Sequence, residues 1–149
     1  MAGLIVSAVT PVAVSLAAAT AKTVMQVTAP ANQRLRVRKI SFAFDTLPAG
    51  SVAVLVRLLF QSTAGTATAI TAAKVSAGAE TIQGTANYNA TAEPTLSSVL
   101  DTFSIRPQLG VDISIPMDST IEIPGGGRLG IECTCSAIAS FRAKVQWEE

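Results

Sequence analysis

Apolar and polar residues alternate with a period of two along much of this chain, and the 3.6-residue spacing of an amphipathic helix does not recur. The clearest run lies near the C-terminal end. Phe141, Ala143, Val145 and Trp147 alternate there with Arg142, Lys144, Gln146 and Glu148, the pattern of a strand with one buried and one polar face. Just upstream, Leu129, Ile131, Cys133 and Cys135 share one parity, with Gly130, Glu132 and Thr134 on the other. Ser136 to Ser140 separate the two runs, and this spacing predicts a hairpin.

A second patterned region runs from Arg34 to Phe44. Leu35 and Val37 hold one parity, then Ile40, Phe42 and Phe44 hold the opposite one. A switch at Arg38-Lys39 predicts a β-bulge, because one extra residue flips every later side chain to the other face. Leu47-Pro48-Ala49-Gly50 reads as a turn, and Ser51 to Gln61 as the next strand. In that strand Val52, Val54, Val56, Leu58 and Phe60 face one way and Ala53, Leu55, Arg57 and Leu59 the other. Both faces are largely apolar, which places the strand centrally or beneath an oligomer interface. Val52, Val54, Val56, Leu58, Phe60, Phe141, Val145 and Trp147 are the expected core.

Ser62 to Thr95 differs in composition, being almost wholly Ala, Thr, Ser, Gly and Asn. It predicts a strand around Thr66 to Val75 followed by a long connection through Glu93-Pro94. Val99 to Arg106, Asp112 to Ile115 and Thr120 to Ile123 then read as short strands, punctuated by Pro107, Pro116 and Pro124. Many short strands with turn signals between them, and no convincing helix or repeat, predict a single all-β domain over 1–149, an antiparallel β-sandwich of jelly-roll type.

Gly3 to Ala21 is a charge-free run long enough to suggest a membrane helix or a signal peptide. No basic residue precedes Lys22, Pro11 interrupts the middle, and Val, Ile and Thr dominate the first half, which favours extended chain. The expectation for 1–22 is an extended N-terminal arm.

Composition narrows the function classes. The 149 residues are 49% hydrophobic and only 14% charged, against roughly 25% charged in typical soluble domains, and mean hydropathy is +0.45. A net charge of +1 argues against a general nucleic-acid binder. There is no histidine, which removes Ser-His-Asp and Cys-His catalysis and the usual zinc sites. Cys133 and Cys135, the only cysteines, fall on one face of a strand with Cα atoms about 6.5–7 Å apart, at the far limit for a disulfide. They read as buried thiols of a protein made in a reducing cytosol. No cofactor, metal or membrane partner is expected.

Three local features carry candidate chemistry. Pro124-Gly125-Gly126-Gly127-Arg128 has the glycines of a phosphate loop but neither the Lys-Ser/Thr ending nor a following helix, so it reads as a hairpin connection. Asp112, Asp118 and Glu122 form the one acidic cluster within a short span, without calcium-loop spacing or an aromatic sugar platform. Arg34, Arg36 and Arg38 share a strand face, with Lys39 beyond them. They read either as a solvated outer face or as a positive stripe that meets an acidic partner, and they are the candidate partner-binding residues.

The chain also resembles a family of small tailed-bacteriophage virion proteins, the head decoration (cement) or auxiliary capsid proteins. The resemblance rests on Ala21-Lys22-Thr23-Val24-Met25-Gln26-Val27-Thr28-Ala29-Pro30-Ala31-Asn32-Gln33-Arg34, on Ile40-Ser41-Phe42, and on Thr91-Ala92-Glu93-Pro94-Thr95. Gly125-Gly126-Gly127-Arg128-Leu129-Gly130-Ile131 and Trp147-Glu148-Glu149 extend it, so that it covers most of the chain from Ala21 onward. It implies a β-sandwich that forms homotrimers on the outside of a head shell, with the major capsid protein as partner and the virion exterior as location. The first twenty residues and Ser62 to Thr95 would then supply contacts to other subunits. The rival readings are a tail or baseplate component, a carbohydrate-binding module using Tyr88 and Trp147, and, most remotely, a glycosidase.

Overall fold

The computed structural model describes residues 3–46, 53–75, 78–108, 110–116 and 119–149. Period-two patterning becomes thirteen strands, with no helix among the described residues. They are β1 (Ile5–Val9), β2 (Val14–Leu16), β3 (Lys22–Thr28), β4 (Leu35–Thr46), β5 (Val54–Gln61), β6 (Thr66–Ile70), β7 (Ala73–Lys74), β8 (Thr85–Ala92), β9 (Leu96–Ile105), β10 (Val111–Ser114), β11 (Ile121–Ile123), β12 (Arg128–Thr134) and β13 (Ala139–Glu148).

Two antiparallel sheets pack face to face as a β-sandwich. The seven-stranded sheet runs β10-β4-β13-β1-β7, with β11 beside β4 and β2 beside β13. The six-stranded sheet runs β6-β8-β3-β12-β5-β9. Among these strands, no two that follow one another in sequence are hydrogen-bonded to each other. Most connections instead carry the chain from one sheet to the other.

That rule corrects two expectations. β12 and β13 are not a hairpin, because β12 lies between β3 and β5 while β13 lies between β4 and β1 in the opposite sheet. The Pro124–Arg128 glycines likewise join β11 to β12 across the sandwich. Alternation assigns a residue to a face but not to a sheet, so two half-buried runs with a short link look alike in either arrangement. The glycines are needed at this corner: Gly126 has φ +75°, and a Cβ on Gly125 would stand 2.6 Å from the Ala31 carbonyl oxygen.

The N-terminal residues are also corrected. They are not an arm: β1 pairs with β13 from Ile5↔Glu148 to Val9↔Lys144, and β2 continues from Val14↔Phe141 to Leu16↔Ala139. Pro11, which cannot donate to the ladder, sits in the break between them. Val6, Ala8, Val14 and Leu16 are buried in the common core, and that burial explains why this segment is so apolar.

The bulge at Arg38 is present. Gln146 opposes Lys39 while Trp147 opposes Val37, leaving Arg38 as the extra residue. Val54, Val56, Leu58, Phe141, Val145 and Trp147 are buried in the core as the parity predicts, whereas Phe60 is only partly buried. Val52 lies outside the described residues. Phe42 stacks on Phe141 at 5.8 Å between centroids, and Phe44 meets Phe141 edge-on at 5.1 Å, so the core has one aromatic cluster despite its few rings.

The expected long connection through Glu93-Pro94 is largely the eight-residue strand β8, which pairs with β3 and β6. Its Ala, Asn and Thr residues have weak strand propensity, and a mid-sheet position overrides it. Ala86 joins the main core. Ser62–Gly65 and Ala90–Thr95 close over the outer face of the six-stranded sheet. Gln61, Gln26 and Thr23 lie against these segments, and with Leu59 they are buried on the side away from the main core. Gln26 Nε2 donates to Gln61 Oε1 at 2.6 Å and to the Thr63 carbonyl at 3.1 Å, and Gln61 Nε2 donates to Thr23 Oγ1 at 3.0 Å. These bonds satisfy the amide donors that burial removes from water.

Candidate docking surface

β4, β10, β11 and β13 gather many of the chain's charges onto the outer face of the seven-stranded sheet, and most of them stand in ion pairs. Arg34 Nη1 and Arg36 Nε both reach Glu122, at 3.1 and 3.2 Å. Arg38 is bonded to Glu148. Lys39 Nζ lies 2.7 Å from Asp112, which also accepts from Ser41 Oγ at 2.6 Å. Arg142 grips both oxygens of Asp45 at 2.9 and 2.8 Å. The three arginines of the basic strand therefore stand side by side as their parity requires, but each is paired within the chain. The basic strand is therefore a row of ion pairs, three arginines on the two carboxylates of Glu122 and Glu148, which lie 86 to 110 residues away in sequence and so are not visible beside it.

Two carboxylates register this pairing. The hydrogen bond from Lys39, then that from Ser41, holds the Asp112 carboxyl below the usual carboxylate range. The Arg38 guanidinium, opposed by partial burial and helped by the Gly3 amide and Arg36, does the same for Glu148. Asp112 and Glu122 are thus held by bases on β4 and its entry, not poised opposite each other as an acid–base couple. Asp118 lies outside the described residues.

The thiols are equally quiet. Cys133 and Cys135 are both buried and unbridged. Burial, reinforced by the neighbouring Cys135 and Glu132, pushes the Cys133 thiol up to about 12, so that thiol stays protonated near neutral pH. Among the described residues no group of three or more acidic or cysteine side chains could hold a metal ion. Among the described residues no helix is long and apolar enough to cross a membrane. Trp147, one of the two rings that could have formed a sugar platform, is fully buried, and Tyr88 packs against the core.

The edge of the six-stranded sheet is different. β9 pairs only with β5, and its first seven residues are all exposed. Leu96, Val99 and Leu100 on β9, with Leu55 on β5, are 39–45% exposed. A groove of about 570 Å³ continues beyond them, lined by Phe103, Ile105, Arg106, Gly110 and Val111 among others. β9 shifts register against β5 at two places, beside Leu58 and beside Phe60. Bulges of this kind, with Asp101 between the apolar positions, spoil the edge for ladder extension, so its side chains rather than its amides are on offer. The sequence held a signal for this patch: Leu96, Val99 and Leu100 fall on both parities, as a strand buried on only one face would not allow.

Compared with protein-family models, with curated proteins and with solved structures, the chain matches none. The residues themselves carry the functional argument.

Proposed function

We propose that this protein is a structural component of a bacteriophage virion that binds the outside of the head shell as a decoration or cement protein. It would stabilise the shell through contacts with the major capsid protein. The observation that carries the reading is the contrast between self-paired charges on one sheet and an unpaired apolar edge on the other. A surface of Leu55, Leu96, Val99 and Leu100, rimmed by Ser and Thr hydroxyls, suits docking to another protein. The role proposed is non-enzymatic.

The strand order supports the same reading. Setting β6, β7 and β8 aside, β1/β2-β13-β4-β10/β11 faces β3-β12-β5-β9, which we read as the eight-stranded jelly roll common in capsid proteins. β6 to β8 would then be an insertion that widens the two sheets. Homotrimerisation follows from the family resemblance and belongs to this proposal.

The experiment mixes the purified chain with shells assembled from a candidate major capsid protein and measures co-sedimentation and resistance of the shells to heat. Wild-type protein should saturate the shells in a fixed ratio and raise their disruption temperature, and a Val99→Lys/Leu100→Lys variant should do neither. Binding by that variant equal to wild type would remove the patch from the reading. Failure on shells combined with binding to tail tubes or baseplates would favour the tail component instead.

A further inference from the structure

Glu148 and Glu149 reach in different directions from the end of β13, and between them they hold three other segments. Glu148 is bonded to Arg38 in the β4 bulge, and its Oε1 accepts from the Gly3 amide at 3.2 Å. Glu149 exchanges two backbone bonds of 3.0 Å with Leu4. Its side chain accepts from two successive amides, Gln83 N at 2.9 Å and Gly84 N at 2.8 Å, and from the Trp147 indole Nε1 at 3.3 Å. Successive amides aimed at one carboxylate form an anion nest, and such charge-assisted bonds are about twice as strong as neutral ones.

Gly84 is shaped to this seat. A Cβ there would stand 2.9 Å from Trp147 Nε1, 3.0 Å from the Glu149 carboxylate and 3.0 Å from Leu35 Cδ1. The entry to β8 therefore lies flush on the indole edge of the only tryptophan in the chain. Ile82 is the one larger apolar residue of this segment that packs against the core, while Thr81, Gln83 and Thr85 are exposed, so the carboxylate bonds are a large share of what holds it.

We propose that the paired carboxylates of Glu148 and Glu149 form a latch that closes the sandwich at the pole where its chain ends meet. Its release opens residues 82–85 and the Gly3-Leu4 end before the sheets separate. The latch is a local unit with its own opening equilibrium, below that of the core strands. It stands independently of the docking reading, because β9 lies at the opposite edge of the six-stranded sheet from β8 and β6.

Native-state hydrogen exchange with acrylamide quenching of Trp147 tests it. In the wild-type protein the amides of Gln83 and Gly84 should exchange through a smaller opening than those of Leu129 to Cys133. Glu149→Ala should speed exchange at 82–85 by about tenfold or more and increase quenching of Trp147, while exchange in β12 changes by less than about threefold. Gly84→Ala should do the same by blocking the seat without altering a charge, and Glu149→Gln, which keeps an acceptor oxygen, should fall between. Unchanged exchange at 82–85 in both alanine variants would overturn the latch. So would wild-type amides at 82–85 that open only together with β12, a measurement that needs no variant to fold.

Discussion

The outer faces of the two sheets solve the problem of a charge-poor chain in opposite ways. On the seven-stranded sheet, Arg34, Arg36, Arg38, Lys39 and Arg142 are matched against Glu122, Glu148, Asp112 and Asp45. Each of these bases has a carboxylate partner within the chain, with Arg34 and Arg36 sharing Glu122, so five bases meet four carboxylates and most of the charge on that face is balanced locally. On the six-stranded sheet the β8 half is roofed by Ser62–Gly65 and Ala90–Thr95, and the β9 half stays open with leucines and a valine on its surface. The difference teaches that positive residues in one parity mark a docking stripe only if no carboxylate returns to them. Here two carboxylates do.

The largest expected effect contrasts a covered and an open position on β5. Leu59 points away from the main core yet is fully buried, so Leu59→Ala should destabilise the protein by about 2–5 kcal/mol, as a core truncation does. Leu55→Ala, four residues away on the same strand and 39% exposed, should change stability by less than about 0.5 kcal/mol. Chemical denaturation of both variants checks the pair, and equal losses would abolish the distinction between covered and open halves.

Next in size is the Arg57–Glu132 pair on the same face, where Arg57 Nε lies 2.8 Å from Glu132. Arg57→Met strands a carboxylate with 13% side-chain exposure and should cost about 1–3 kcal/mol. Arg57→Met/Glu132→Leu should recover most of that loss, measured in the same denaturation series.

The acid limb of stability should report the seven-stranded face. The folded-state carboxyl of Glu148 is held below its unfolded value near 4.5, so its contribution is complete above that pH and is lost as pH falls through the folded value. An Arg38→Met variant should show a shallower loss between pH 5 and 3 than the wild type, followed by thermal unfolding across that range. A slope identical to wild type would detach Glu148 from Arg38.

The smallest effect belongs to the basic strand. Arg34 and Arg36 share Glu122 with side chains 62% and 43% exposed, and exposed pairs contribute about 0–1 kcal/mol. Replacing both by Gln should leave stability within that range and change association with shells little across a salt series. A marked slowing of association at low salt would return the stripe to the docking surface.

Much of this contrast was legible in the sequence, and its gaps have physical causes. The alternation of Phe141 to Trp147, the parity switch at Arg38 and the burial of both cysteines are local consequences of the two-residue repeat, and each is found where the pattern puts it. Pairing partners are not local. Nothing near Arg38 announces Glu148, and nothing near Leu129 says that its neighbours are β3 and β5 rather than β13. The first twenty residues misled for a related reason: an apolar run without a visible partner reads as an arm until β13 supplies the other half of its ladder. β8 was hidden because alanine, asparagine and threonine become a strand there only through the neighbours they meet.

The absence of pairing between consecutive strands also sets a timetable. Every ladder closes a long loop, so no hairpin can form early and serve as a template, and folding of such high-contact-order topologies runs in milliseconds to seconds. β13 is synthesised after the other twelve described strands, yet it lies in the middle of its sheet and carries β4, β1 and β2 on its two edges. A chain still being synthesised has no seven-stranded sheet to enter. The seven-stranded sheet should stay incomplete, and open to proteases and chaperones, until the ten residues of β13 are available to it.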